Sequence, residues 1–187
     1  MDATQKHALE IGIRLCREVG YTGTTFEKIA SESGMAVSAL HEQWPTKSAL
    51  LLDALLVEVH RDLVYPDTGD FEADMRTQLM AIMRVFTDPA TGPYIARLLG
   101  EAQRGPAAVE EFRERVYRPN RSAARARFLS AQRKGQLRTD LDIDAAIDLT
   151  FAPYWFRLLL DAESLDAAYV EEIVALAIRG LRPAEPC

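Results

Sequence analysis

The chain of 187 residues is 48% hydrophobic, so it has enough apolar side chains to form one or two domains without covalent or metal cross-links. Cys16 and Cys187 cannot make a disulfide framework, and no Cys or His spacing is typical of a zinc site, so neither a metal nor another cofactor is expected. The net charge of −6 argues against nucleic-acid binding unless the basic side chains share one surface.

No targeting or membrane segment is evident in the sequence. The first residues lack a basic stretch followed by an apolar one, as a signal peptide would have. No apolar run approaches the roughly 18 residues that a membrane span needs. A cytoplasmic protein without a membrane partner is therefore expected.

Helical periodicity dominates the sequence. Apolar residues recur about every 3.6 residues, whereas β-branched residues never alternate over a useful length, and this pattern predicts an all-α fold. A first helix is expected over residues 3–19, with Gly20 as its stop. Thr24 and Glu27 have the S/T-x-x-E spacing of a capping box, which predicts the start of a second helix over residues 26–33.

A tight turn is predicted after the second helix. Gly34 can adopt a positive φ at little cost, so the chain can turn sharply into a short third helix over residues 37–44. A longer fourth helix is expected over residues 48–64, followed by a loop at 66–70. Two short helices joined by a tight turn favour a helix-turn-helix unit.

Positions between residues 20 and 51 agree with one known family. They are Gly20, Tyr21, Thr24, Thr25, Phe26, Ile29, Ala30, Gly34, Met35, Leu40, Trp44, Lys47, Leu50 and Leu51. In this register, the N-terminal segment resembles the DNA-binding head of the TetR family. The resemblance implies a three-helix helix-turn-helix head over residues 1–47 and a helical ligand-sensing and dimerisation domain over residues 48–187.

The resemblance also implies which residues meet operator DNA. The third helix is expected to enter the major groove, with base reading by Val37, Ser38 and Ala39. Only Ser38 can hydrogen-bond a base edge, so direct readout should be thin and DNA shape important. The other expected DNA contacts, mostly to phosphates, are Thr25, Lys28, His41, Gln43 and Lys47.

Five further helices are expected over residues 71–87, 93–103, 106–134, 143–162 and 165–181. They resemble the family's second domain only loosely, through residues 135–142 and the helical layout, so the resemblance implies an architecture but no particular ligand. Their apolar stripes either line a ligand cavity or fill an ordinary core, and both interpretations stay open. The expected ligand contacts are Met83, Phe86, Tyr94, Leu98, Phe112, Phe128 and Tyr154.

An aromatic run over residues 151–156 surrounds Pro153, which should kink its helix. Aromatic side chains on more than one face need more than one partner, and a second subunit is one such partner. A two-fold dimer also suits a palindromic operator. The expected dimer residues are Trp155, Leu158, Leu159, Tyr169, Ile173 and Leu176.

Together these features predict a transcriptional regulator that acts as a repressor. It would bind a palindromic operator in double-stranded DNA as a homodimer, and a small, mainly apolar effector molecule would release it. The alternative is a helical adaptor or sensor without specific DNA binding. An enzyme is not expected, because no Gly-rich phosphate loop, nucleophile elbow or HExxH motif occurs.

Overall fold

The computed structural model describes residues 2–59, 65–89, 91–102, 105–160 and 163–183. Within these ranges the chain is helical and contains no strand, which confirms the all-α prediction. None of the helices described is long and apolar enough to cross a membrane. The helices are α1 Ala3–Gly23, α2 Phe26–Ser33, α3 Val37–Gln43, α4 Lys47–Val59, α5 Phe71–Thr87, α6 Gly92–Ala102, α7 Pro106–Phe112, a π-helical segment Arg113–Tyr117, α8 Arg118–Arg133, α9 Ile143–Leu160 and α10 Ala167–Leu181.

Two compact units divide the chain. The first comprises residues 1–61 and 89–118 and contains α1 to α4, α6, α7 and the π-helical segment; the second comprises residues 62–88 and 119–187 and contains α5 and α8 to α10. Each unit has its own buried apolar core. In the first unit the completely buried side chains include Ile29, Leu40, Leu50 and Leu51, and in the second they include Leu79, Phe128 and Val170.

The first helix breaks where the sequence predicts, although its helical stretch does not end there. Gly20 adopts a φ of 73° and a ψ of 171°, outside the helical region, and one further turn follows to Gly23. Further along α1, Gly12 allows a close approach to α4, because a Cβ atom at this position would lie 2.6 Å from the Cδ2 atom of Leu50. The side chain of Leu50 on α4 therefore packs directly against the backbone of α1 at Gly12.

The cap of α2 differs by one residue from the prediction. Thr25, rather than Thr24, is the N-cap, and its hydroxyl accepts a hydrogen bond from the backbone N–H of Lys28 at 3.3 Å. Thr24 is completely buried and donates its hydroxyl to the carbonyl of Gly20 at 2.9 Å. The capping box predicted at Thr24 is wrong, because its hydroxyl is hydrogen-bonded to the carbonyl of Gly20 at the break in α1. The turn after α2 is as predicted, since Gly34 has a φ of 73°.

The expected single helix over residues 106–134 is interrupted by the π-helical segment. The backbone N–H of Arg118 donates to the carbonyl of Arg113, five residues back, instead of four as in an α-helix. Helical periodicity alone does not show this turn, but Pro119, which follows Arg118, has no backbone N–H to donate to the carbonyl of Arg115, and the prediction of one continuous helix did not take this into account. The expected ends of three other helices, at residues 64, 103 and 162, lie outside the described residues, as does Cys187.

A buried ion pair joins α5 and α8 in the second unit. The Nη2 atom of Arg127 donates to Oδ2 of Asp74 at 2.5 Å, and both side chains are 2% exposed. Thr68 donates its backbone N–H and its hydroxyl to the same carboxylate, at 3.0 and 2.7 Å. Burial alone would raise the pKa of Asp74, but the hydrogen bonds from Thr68 and Arg127 lower it below its usual value.

Candidate functional site

Helix α3 presents a polar outer face at the surface of the first unit. Its inner side is fixed by Leu40, which is completely buried, while Ser38, His41, Glu42 and Gln43 are exposed. Val37 and Ala39 are half-buried beside them. The expected base-reading and phosphate residues of this helix therefore reach one accessible surface, although Glu42 adds a negative charge there.

The ring of His41 packs on α2. Its centroid lies 4.3 Å from that of Phe26, which is buried. This contact restricts the imidazole to the junction of α2 and α3 while leaving it exposed. His41 is therefore held next to the N-terminal half of α2, where the next two predicted DNA contacts lie.

Thr25 and Lys28 lie at the start of α2 and already have local partners. The Nζ atom of Lys28 donates to the carbonyl of Gly23 at 2.8 Å. Glu27 lies between them, and hydrogen bonds from its own backbone N–H and from the Thr25 hydroxyl lower the pKa of its carboxyl. The negative charge of Glu27 is thereby stabilised where an incoming phosphate would approach Thr25 and Lys28.

Lys47 and Gln43 contact α1. The Nζ atom of Lys47 donates to the carbonyl of Tyr21 at 2.6 Å and lies 4.1 Å from the centroid of the Tyr21 ring. The Nε2 atom of Gln5 donates to Oε1 of Gln43 at 2.8 Å. The beginning and the end of α1 thus meet the two ends of the turn that joins α3 to α4.

Sequence reasoning missed an acidic residue behind α3. The indole N–H of Trp44 donates to Oδ2 of Asp53 at 2.9 Å, and Nη1 of Arg115 donates to both oxygens of the Asp53 carboxylate at 2.7 and 2.8 Å. From the sequence, Trp44 is one of the positions that agree with the family, and no partner is predicted for its indole N–H. A buried indole requires an acceptor, which is the one signal that pointed to such a residue, but nothing in the sequence joins positions 53 and 115.

The expected ligand contacts are divided between the two units. Tyr94 and Leu98 are buried in the first unit, where Phe112 is half-buried, and the hydroxyl of Tyr94 donates to the carbonyl of Leu51 at 2.5 Å. The other four, in the second unit, are Met83, Phe86, Phe128 and Tyr154.

Within the second unit, Phe86, Phe128 and Tyr154 each lie next to another aromatic ring. Phe128 packs against Phe71 with ring centroids 5.0 Å apart, and Phe86 packs against Trp155 at 4.8 Å, while Met83 is half-buried. Tyr154 is 1% exposed, yet its hydroxyl has no hydrogen-bond partner among the residues that the structure describes. Burial, followed by the nearby Tyr169 and Glu171, raises the pKa of Tyr154, so its hydroxyl stays protonated and remains a donor.

The expected dimer residues differ in exposure. Leu159 and Leu176 are 50% and 57% exposed. By contrast, Trp155, Leu158, Tyr169 and Ile173 are half-buried. Their own unit supplies contacts to two of these, because Trp155 packs on Phe86 and the guanidinium of Arg157 lies 3.4 Å from the ring centroid of Tyr169. Sequence reasoning missed three further exposed apolar side chains of α9, namely Leu149, Phe156 and Leu160.

Comparison with known proteins agrees with this architecture. Residues 8–54 match the family described as bacterial regulatory proteins of the tetR family, and residues 65–177 match a tetracyclin repressor-like C-terminal domain. The chain is 30% identical over 181 residues to the uncharacterized HTH-type transcriptional regulator YdeS of Bacillus subtilis, an alignment that covers 97% of this chain and 91% of YdeS.

The fold of this chain is also similar to that of solved transcriptional regulators. The crystal structure of the TetR family transcription regulator SCO0332 is 31% identical, with a TM-score of 0.86 over 97% of this chain and all of that one. A regulator from Saccharomonospora viridis, solved in complex with choline, is 19% identical, with a TM-score of 0.64 over 94% of this chain and 95% of that one. The helix-turn-helix of α2 and α3, both family matches and the 30% identity to YdeS together place this chain in the TetR family of DNA-binding transcriptional regulators.

Proposed function

We propose that this chain is a ligand-responsive repressor that binds a palindromic operator as a homodimer and leaves it when a small, mainly apolar molecule binds. The observation that carries the proposal is the polar outer face of α3, held in place by Leu40 beneath it. An exposed helix that begins next to a tight turn is the form in which helix-turn-helix proteins enter the major groove. In this chain α3 is the reading helix.

Base recognition by α3 is sparse. Val37, Ser38 and Ala39 face the bases, and the Ser38 hydroxyl alone can exchange hydrogen bonds with a base edge. Apolar contact with thymine methyl groups and the shape of the duplex supply the rest of the specificity. We therefore expect an operator with few strictly required base pairs per half-site.

Phosphate contacts come from both sides of the reading helix. Thr25 and Lys28 lie at the start of α2, His41 and Gln43 lie on α3, and Lys47 begins α4. An ammonium group has three N–H donors, so Lys47 keeps its hydrogen bond to Tyr21 while another donor reaches a phosphate. Residues 1–60 contain five basic and eight acidic side chains, so DNA binding should be moderate in affinity and strongly dependent on salt.

A second copy of the chain covers the apolar face of α9 and α10. Leu149, Phe156 and Leu160 on α9 and Leu176 on α10 are each more than half exposed, and Leu159 lies beside them at 50%. Large exposed apolar side chains grouped on neighbouring helices favour an interface, and a two-fold axis lets the same patch serve both subunits. Trp155, Leu158, Tyr169 and Ile173 lie at the edges of this interface.

The effector site belongs to the helical part that follows the head. Met83, Phe86, Phe128 and Tyr154 supply an aromatic environment, and the unpartnered hydroxyl of Tyr154 offers a hydrogen bond to a bound molecule. Tyr94, Leu98 and Phe112 stay predicted contacts from the first unit, as does the division into a head over 1–47 and a sensing domain over 48–187. The choline complex of the S. viridis protein supports the general idea that this fold holds small molecules.

The test is selection of duplexes by the wild-type protein from a random DNA library, followed by footprinting of the selected duplex. Two protected half-sites, with centres about one helical turn apart, are expected of a two-fold dimer. Ser38→Ala should lower the preference for the selected duplex over random DNA. A protein that selects no duplex, and binds random DNA with the same affinity throughout, would instead be a helical adaptor, and the proposal would be wrong.

A further inference from the structure

Five side chains behind the reading helix form one hydrogen-bonded network, to which the DNA contacts above assign no role. Trp44 and Arg115 both donate to the carboxylate of Asp53, as described above. The Nε atom of Arg115 also lies 3.5 Å from Oε1 of Glu111, and the hydroxyl of Thr46 donates to Oε2 of Glu111 at 2.9 Å. We call these residues the Asp53 network.

The network connects two parts of the chain that are distant in sequence and belong to the same compact unit. Trp44 and Thr46 form the turn between α3 and α4, and Asp53 lies on α4. Glu111 lies on α7 and Arg115 on the π-helical segment, 62 residues beyond Asp53. The C-terminal end of the reading helix and the middle of the π-helical segment are thereby joined through one carboxylate.

Trp44 transmits the position of this carboxylate to α3. It follows the last residue of α3, and its backbone N–H donates to the carbonyl of Leu40 at 2.7 Å. Its side chain is only 1% exposed, so its indole N–H cannot exchange Asp53 for water. A displacement of Asp53 would therefore move the Trp44 ring, and the ring would move the C-terminal end of α3.

Arg115 fixes Asp53 in turn. Its guanidinium donates to both carboxylate oxygens, and the two side chains are only 31% and 29% exposed. The wide turn of the π-helical segment sets where Arg115 lies, because a return to α-helical hydrogen bonding would shift the following side chains by one position, about 100° around the axis. Such turns are often found at functional sites.

We propose that Asp53 and Arg115 are positioning residues for DNA binding, which hold α3 in the orientation that fits the major groove without touching DNA themselves. The inference rests on the proposed function, since it requires α3 to be the reading helix. It assigns the π-helical segment a role in operator affinity.

The experiment compares three full-length variants with the wild type on the duplex that the wild type selects and on a random duplex. Arg115→Met and Asp53→Asn both disturb the network, whereas Arg113→Met is the matched control, because Arg113 lies on the same segment, is 57% exposed and, among the described residues, forms an ion pair only with the exposed Glu110. We expect the first two to bind the selected duplex about threefold to tenfold more weakly. Arg113→Met should bind like the wild type.

Salt dependence separates positioning from direct contact. A lost phosphate contact lowers the slope of log affinity against log salt by about one, whereas a misplaced helix that keeps its phosphate contacts leaves the slope unchanged. We expect an unchanged slope for Arg115→Met and a shifted ¹⁵N–¹H signal for the Trp44 indole. Arg115→Lys, which keeps the charge and a donor for Asp53, should restore most of the affinity.

Several results would overturn the proposal. These are a lower salt slope in Arg115→Met, wild-type affinity in spite of a shifted indole signal, or additive losses when Asp53→Asn and Arg115→Met are combined. If Arg115→Met does not fold, Asp53→Asn carries the test alone, because its amide oxygen still accepts the indole hydrogen bond.

Failure of the proposed function can be distinguished from failure of this inference. If Ser38→Ala and His41→Ala weaken DNA binding while Asp53→Asn and Arg115→Met do not, only the positioning role is wrong. If none of the four variants changes DNA binding, α3 is not the reading helix, and the proposed function and the positioning role both fall.

Discussion

The ammonium group of Lys47 lies 2.6 Å from the backbone oxygen of Tyr21 and 4.1 Å from the centroid of its ring. This contact brings a cation to the last turn of α1, where carbonyl groups lack helical partners. Lys47 therefore contributes to the fold of the head as well as to the proposed phosphate contact. The two contributions have different experimental signatures.

Lys47→Ala should weaken binding to the selected duplex and to random DNA by similar factors, because a phosphate contact carries no sequence information. The slope of log affinity against log salt should fall by about one. Fluorescence titrations over a range of salt concentrations measure both effects. Lys134→Ala, which makes the same charge change at a residue paired with Asp67 in the second unit, is the control. Loss of discrimination with unchanged affinity for random DNA would contradict the assignment.

Tyr154→Phe should leave the stability of the ligand-free protein unchanged or raise it by up to about 1 kcal/mol, because it removes a buried hydroxyl that has no partner. Tyr94→Phe is the matched comparison, since it removes a hydroxyl that donates to Leu51, and should cost about 1 kcal/mol. Thermal or urea unfolding measures both. A loss of stability in Tyr154→Phe equal to that in Tyr94→Phe would show that the Tyr154 hydroxyl is satisfied.

Leu159→Glu should weaken the dimer, since burying an unpaired charge in an apolar interface costs several kcal/mol. Leu159 is 50% exposed, so the fold of each subunit should tolerate the substitution. Trp155→Glu should instead lower the stability of the fold, because Trp155 packs against Phe86. Sedimentation velocity and thermal unfolding separate the two effects. An unaltered dimer in the double variant Phe156→Glu and Leu159→Glu would place the interface elsewhere.

The buried pair of Arg127 and Asp74 predicts a dependence of stability on acid. Hydrogen bonds from Thr68 and Arg127 outweigh burial and lower the pKa of Asp74 in the folded protein. The contribution of Asp74 to the stability of the fold is therefore complete above its pKa in the unfolded chain, about 3.9, and is lost as the pH falls through its lower pKa in the folded protein. Unfolding followed between pH 2 and pH 6 should show a shallower acid loss in Asp74→Asn than in the wild type.

Arg127→Met should be more harmful than Asp74→Asn at neutral pH. It leaves the Asp74 carboxylate buried without its cation, which costs about 3–5 kcal/mol, whereas in Asp74→Asn the guanidinium of Arg127 keeps its hydrogen bond to the carbonyl of Pro66 and lies 3.6 Å from the carboxylate of Asp67. Unfolding by urea at pH 7 compares the two variants. Equal stability of both would mean that water or Thr68 satisfies the carboxylate without Arg127.

Local signals predicted much of the helical layout. The bounds of α2 and α5 agree with the prediction because a cap or a loop with Asp and Gly marks each start, and Gly34 marks the turn after α2. The cap of α2 was placed one residue early, because whether Thr24 or Thr25 caps the helix depends on the break at Gly20.

The contacts that join distant positions could not be predicted. Nothing in the sequence pairs Asp53 with Arg115, because both are ordinary charged residues on helical patterns and their separation follows from tertiary packing. The π-helical segment was not predicted because helical periodicity does not distinguish a hydrogen bond to the fifth residue back from one to the fourth, although Pro119, two residues beyond the segment, lacks a backbone N–H and signals a disturbed helix. The DNA contacts proposed on α3 stay predictions, and they could be named from the sequence because the candidate residues lie within one short local motif.

The close approach at Gly12 limits how the head can rearrange. A Cβ atom there would lie 2.6 Å from the Cδ2 atom of Leu50 and 3.4 Å from that of Leu51, and both leucines are completely buried. Helix α4 therefore packs closely on α1 at this point, and a roll or slide of α4 across α1 would require these buried leucine side chains to repack. Any displacement of α4 should carry α1 along as a single lever arm, so that the Gln5 side chain at the far end of α1, which holds Gln43, moves together with the reading helix.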